Sequence, residues 1–333
     1  MVSQAQIDES NARIKDSITS RIAVFVGGTS GIGQYTIRAL VATGITVKIY
    51  LVGRKSSEER TRAFIQELNA INPKAEIIWT EGDITLLAET KRICQVINSV
   101  ETRIDILFMT AGYAPFGGRV ETSEGLEIVQ SLAYYSRILF IMKLLPLLRN
   151  SEAPRVVSVL AGGLERATSL DLEDLDLKKP GNFGAIKAQS QYATLNTVAM
   201  ERLANDNPDI TFIHSWPGWV STGNVRRGYD PNSAMGWFVY LFLEPLIRTF
   251  AIRNEDSGQR HLFQSTSAAF GGRGAPWVGD KWSADEGTEA QNRVLLVNYK
   301  CDHTPNSKVI QLLRENAMEK VWEHTMTVLG RFL

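Results

Sequence analysis

Ile22-Ala23-Val24-Phe25-Val26-Gly27-Gly28-Thr29-Ser30-Gly31-Ile32-Gly33 sets an unbroken apolar run directly against a glycine cluster. Five consecutive apolar residues leave no wet face, so the run reads as a strand covered on both sides, as in a parallel sheet. The glycines read as the turn into a helix. Gly27 permits the tight turn, Gly31 a close backbone approach, and Gly33 packing of the helix on the strand. With Thr29, Ser30 and Ile32 between them, they aim backbone N–H groups and a helix N-terminus at an anion such as a pyrophosphate.

Working outward, strand-like runs recur at 47–52, 75–80, 104–109, 155–160, 210–215 and 294–297, separated by helix-period segments at 34–42, 58–69, 87–100, 124–148 and 185–204. Strands alternating with helices through right-handed crossovers predict an α/β fold, a Rossmann-like doubly wound parallel sheet in three layers. Residues 1–20 predict an N-terminal arm or short helix, with Ile7, Ile14 and Ile18 laid on the domain, and 21–333 a single domain. Between 221 and 287 the period breaks down, which reads as an insertion. Its segment 235–251, with Trp237, Phe238 and Tyr240, is too short for the roughly 20 apolar residues of a membrane span. A substrate lid, a subunit contact, a peripheral membrane contact and plain core are the readings it leaves.

The chain has 333 residues, 44% hydrophobic and 22% charged, an ordinary globular composition. Lys+Arg 36 against Asp+Glu 36 gives no net charge, so no global field favours nucleic acid. Cys94 and Cys301 form no C-x-x-C pair, and Asp8, Glu9, Arg13, Lys15 and Asp16 precede any apolar run. The expectation is a cytoplasmic protein without a signal peptide. The four histidines include no H-x-x-x-H pair, so no metal site is expected.

The second strand ends Val52-Gly53-Arg54-Lys55-Ser56. Selectivity for NAD usually rests on a carboxylate here, for the ribose 2′-hydroxyl, and Gly53 offers none. Arg54, helped by Lys55 or Ser56, suits a 2′-phosphate instead, so the cofactor expected is NADP(H).

From 21 to 222 the sequence resembles the short-chain dehydrogenase/reductase superfamily. The pattern G-x-x-x-G-I-G falls on Gly27, Gly31 and Gly33, with Val26 for the usual threonine. Asp83-Ile84 resembles the adenine-contacting pair after the third strand. Thr110-Ala111-Gly112 resembles the N-A-G end of the fourth, and Pro217-Gly218-Trp219-Val220-Ser221-Thr222 the P-G-x-V-x-T segment beside the nicotinamide. The stretches 212–218 and 257–262 resemble a divergent branch frequent in fungal secondary metabolism. The resemblance implies cofactor contacts at these positions and at Lys187.

The resemblance fails at the catalytic apparatus. Family members reduce carbonyls with a tyrosine acid, a lysine four residues later, a serine and an asparagine. Here Phe183 stands for the tyrosine, Ala161 for the serine and Ala133 for the asparagine, and only Lys187 carries over. The candidate substitute acids are Tyr113, Tyr134 or its neighbour Tyr135, and His214; Tyr192 and Ser158 read as pointing elsewhere. Glu165, Asp171, Glu173 and Asp174 read as a solvated acidic run.

Three functions follow from this reading. The first is reduction of C=O, C=C or C=N in a bulky apolar, natural-product-like substrate, with a non-standard acid. The second is a non-redox isomerase, dehydratase or cyclase on the same fold, and the third an inactive cofactor-binding protein. Family members often pair through the fourth and fifth helices, which here carry Tyr134, Tyr135, Met142, Leu195 and Met200. Those residues suit either core packing or a homodimer or homotetramer.

Overall fold

The apolar runs pair side by side as seven parallel strands in the order β3-β2-β1-β4-β5-β6-β7. They are β1 (Ser20–Val26), β2 (Thr46–Gly53), β3 (Ala75–Glu81), β4 (Ile106–Met109), β5 (Arg155–Val159), β6 (Thr211–Ser215) and β7 (Leu295–Val297). The computed structural model describes residues 2–115, 117–220, 237, 241, 251–271, 273–278 and 294–333. Every residue of β4 and β5 is buried, because helices cover both faces of the sheet.

One face carries α1 (Gln4–Ala12), α2 (Gly31–Ala42), α3 (Glu58–Ile71) and α7 (Asn254–Thr266). The other carries α4 (Leu87–Val100), α5 (Ile128–Arg149), α6 (Ala185–Asn205), α8 (Ser307–Asn316) and α9 (Met318–Leu329). The N-terminal segment is a clamp on the first face. Ser3 and Gln6 form a capping box on α1, and Ile7, Ile14 and Ile18 are buried. Asn11 Nδ2 donates to the Gln259 carbonyl at 2.9 Å, which ties α1 to α7.

Helix α7 lies inside the stretch 221–287 read as an insertion, so that part of it belongs to the fold. Gly258 explains its seat on α2: a Cβ there would come within 2.7 Å of the Tyr35 carbonyl oxygen. Residues 221–236, 238–240, 242–250, 272 and 279–287 of that stretch lie outside the described residues, and so does any lid they form.

Within α5, residues Ser131–Tyr135 take a wider π-type turn. Asn196 of α6 donates its amide to the Ala133 carbonyl that this turn releases. Helix α5 is also long and apolar enough to cross a membrane, but 78% of its most apolar stretch is buried within the protein.

Candidate cofactor and active site

The strand order reverses between β1 and β4, and ligands of doubly wound sheets bind beyond the carboxyl ends at such a point. An open cleft lies there, lined by the loops after β1, β2, β3 and β4. Gly27, at φ +102°, packs so closely that a Cβ would sit 2.5 Å from the Ala111 nitrogen. A Cβ on Gly33 would meet the Gly27 oxygen at 2.4 Å. Thr110, where the family has asparagine, donates its hydroxyl to the Gly27 carbonyl at 2.9 Å and pins the loop to β4. Thr29, Ser30, Gly31 and Ile32 line the cleft above it.

The end of β2 is shaped by Trp79. A Cβ on Gly53 would fall 2.5 Å from its ring and 2.6 Å from the Thr29 methyl, so no side chain fits at 53 unless the ring and the methyl are displaced. Arg54, Ser57 and Arg60 line the wall beyond, and Arg60 donates to Ser57 Oγ at 2.7 Å. Lys55 and Ser56, expected to assist Arg54, are exposed and do not line the cleft; the helical turn after β2 carries Ser57 and Arg60 there instead. Arg60 escaped the sequence reading because it sits in the first turn of α3, six residues past Arg54. On the third wall Asp83 accepts from the Thr85 amide (3.1 Å) and hydroxyl (2.9 Å), with Ile84 beside it.

Of the proposed acids, Tyr113 alone lines this cleft, next to Ala111 and Gly112. Burial, reinforced by the negative charge of Glu127, raises its pKa, so the phenol holds its proton at neutral pH. Tyr134 is a correction to the sequence reading. It is fully buried, and its hydroxyl meets Thr325 of α9 rather than the cleft. Tyr135 bonds Asp176 at 2.6 Å, and Tyr192 bonds Glu127 at 2.8 Å.

His214 is a second correction. Its Nδ1 meets Thr197 Oγ1 at 2.7 Å, and its Nε2 accepts the Ala161 amide at 3.3 Å. Both nitrogens are thus engaged in a fully buried ring, whose pKa burial and then the Arg137 charge push down to about 3. Glu165, read as a solvated residue, is buried in the same network and accepts from Thr197 at 2.6 Å. Burial raises its pKa.

Lys187 does not line the cleft. Its Nζ bonds Asn182 and lies 3.5 Å from Asp171 Oδ2, while Phe183 packs against the core. Ser158 is buried and accepts a hydrogen bond from Arg137 at 2.7 Å. Pro217, Gly218 and Val220 follow β6 toward β7, outside the cleft lining. Gly218 takes φ +69° against Tyr299, and Val220 bridges Ile252. Thr222 lies outside the described residues. Among the described residues no three His, Cys, Asp or Glu side chains gather as metal ligands.

A doubly wound sheet with a glycine loop at its switch point defines a dinucleotide-binding protein of Rossmann type. A family model for short chain dehydrogenases matches residues 21–163. The chain is 36% identical to an oxidoreductase of Emericella nidulans, over 99% of both chains. It is 30% identical to the short-chain dehydrogenase/reductase SAT2 of Stachybotrys chartarum, over 93% of this chain and 92% of that one. The complex of RhlG with NADP from Pseudomonas aeruginosa shares the fold, with a TM-score of 0.53 and 22% identity over 77% of this chain and 93% of that one. The chain belongs to the short-chain dehydrogenase/reductase family, a family of oxidoreductases with nicotinamide cofactors.

Proposed function

We propose that this protein binds NADP(H) and reduces a C=O, C=C or C=N bond in a bulky apolar substrate, using an acid other than the family tyrosine. The observation that carries the cofactor choice is the wall after β2: Gly53 has no room for a carboxylate, and Arg54, Ser57 and Arg60 face the cleft. Two guanidinium groups and a hydroxyl match a 2′-phosphate in charge and hydrogen bonding. Gly27, Gly31 and Gly33 hold the pyrophosphate loop open, and Asp83 and Ile84 flank the adenine side. When bound, the nicotinamide supplies the hydride.

Tyr113 is the proton donor we favour, since it is the candidate whose side chain opens on the cleft and it stays protonated. The exposed apolar side chains Trp219, Trp237, Leu241 and Ile186 support a bulky apolar substrate. Cys94 and Cys301, both buried free thiols, fit a reduced cytoplasmic setting.

The contacts of Lys187 with Asn182 and Asp171 favour a second reading. With that lysine occupied and Ala133, Ala161 and Phe183 in the other three places, the fold suits a non-redox isomerase, dehydratase or cyclase that keeps the cofactor bound.

Fluorescence titration with NADPH and NADH, followed by a panel of ketones, enones and iminium ions with nicotinamide oxidation monitored, tests both readings. NADPH should bind more tightly than NADH. Arg54→Ala and Arg60→Ala should each weaken NADPH by about tenfold to a hundredfold, the loss of one charge-assisted contact, and leave NADH nearly unchanged. Tyr113→Phe should lower turnover by about 100-fold while binding persists. Equal affinities for NADPH and NADH would sink the cofactor reading. Substrate conversion without oxidation would move the assignment to the non-redox enzyme.

A further inference from the structure

Arg137 of α5 is 1% exposed and carries no carboxylate partner among the described residues. Its guanidinium donates to Ser158 Oγ at 2.7 Å, the Val159 carbonyl at 3.0 Å and the Ala111 carbonyl at 2.7 Å. Its Nε is buried without a partner. A lone buried cation is costly to fold around, and such charges are normally paired. The hydrogen bonds to two carbonyls and a hydroxyl solvate it only with neutral dipoles.

Its position suggests a use. The guanidinium bridges the carboxyl ends of β4 and β5, directly beneath the cleft floor: a Cβ on Gly112 would sit 3.8 Å from its terminal nitrogen. A dinucleotide lies across the switch point, one nucleotide on each half of the sheet. With Arg54 and Arg60 taking the 2′-phosphate beyond β2, the other nucleotide belongs over β4 and β5, above Arg137. The oxidised nicotinamide ring carries a positive charge and the reduced ring none.

We infer that Arg137 is a fixed positive charge under the nicotinamide half of the cleft, which disfavours the oxidised cofactor against the reduced one and so favours uptake of NADPH and release of NADP+. Arg137 touches neither substrate nor cofactor and acts through space as a positioning residue. The inference rests on the nicotinamide reading proposed above.

Titration of the wild type, Arg137→Met and Arg137→Lys with NADPH and NADP+ at pH 6.5 tests it. The wild type should bind NADPH more tightly than NADP+. Arg137→Met should narrow the ratio of the two Kd values about tenfold, the scale of one unit charge acting over several ångströms of protein. Arg137→Lys should keep the ratio within about threefold of wild type by retaining the charge. A merely structural arginine would weaken both forms alike and leave the ratio unmoved, which would overturn the inference. So would a wild type that prefers NADP+, a result that needs no variant to fold, or a lysine variant that behaves like methionine. A wild type that binds neither form overturns the nicotinamide reading itself, and this inference with it.

Discussion

A Cβ on Gly53 would lie 2.5 Å from the Trp79 ring and 2.6 Å from the Thr29 methyl, so the usual route to NAD selectivity is sterically closed in this chain. Gly53→Asp should therefore lower stability by about 1–3 kcal/mol, as overpacking does, and give no tight NADH binding. Thermal unfolding and NADH titration of that variant check the point, and a stable variant with high NADH affinity would refute it. Trp79 is also why part of this site was legible and part was not. The missing carboxylate could be read from the letters at 53 and 54. That Trp79 enforces the gap depends on packing between β2 and β3, and that Ser57 and Arg60 rather than Lys55 and Ser56 turn inward depends on the helical turn after β2; the letters at 53 and 54 encode neither. The same limit applies to His214 and Tyr134. A polar ring at a strand end or on a central helix looks available until its buried partners, Thr197 and Thr325, are known.

Among the elements, all seven strands and the five long crossover helices were legible, because strands buried on both faces read as unbroken apolar runs. Helix α7 was missed because its sequence, Asn-Glu-Asp-Ser-Gly-Gln-Arg-His-Leu-Phe-Gln-Ser-Thr, is mostly polar and relies on Gly258 for close packing. Helices α8 and α9 lie past the last strand run, where the alternation that guided the reading ends. They matter for assembly. Tyr134, Tyr135, Leu195 and Met200, which could have formed a subunit contact, are buried within the chain. Thr325 and His324 of α9 meet the two tyrosines, Arg314 of α8 pairs with Glu201 at 2.5 Å, and Lys143 Nζ meets the Leu333 carbonyl at 2.7 Å. The C-terminal helices thus occupy, in cis, the faces through which family members often pair. The protein should sediment as a monomer of about 37.0 kDa. A chain ending at residue 306 should self-associate or aggregate through the uncovered apolar face. A full-length dimer held through α5 and α6 would contradict this arrangement.

For the molecule as a whole, the two cores enclose ionisable groups whose protonation differs between the folded and unfolded chain. His214 and His261 are both fully buried, and burial pushes them down to about 3 and about 4, from an ordinary value of 6.5. Both are neutral in the folded protein, so as pH falls below 6.5 the unfolded chain takes up protons that the folded chain does not. Stability is therefore full above pH 6.5 and falls with pH until each folded pKa is reached. The loss is about 2 kcal/mol per histidine by pH 5. Glu165 opposes it, since burial raises its pKa and the folded chain binds that proton first. Asp176 acts at lower pH. Burial opposes its ionisation, but hydrogen bonds from His324 and Tyr135 outweigh this and bring the pKa to about 2, so its contribution is lost as pH falls from 3.8 toward 2. Urea unfolding at pH 7.5, 6 and 5 should show a midpoint that drops steadily with acid. His261→Gln, which leaves the network around Ala161 intact, should flatten that slope by about one histidine's share; an unchanged slope would show that the ring is not held neutral in the fold.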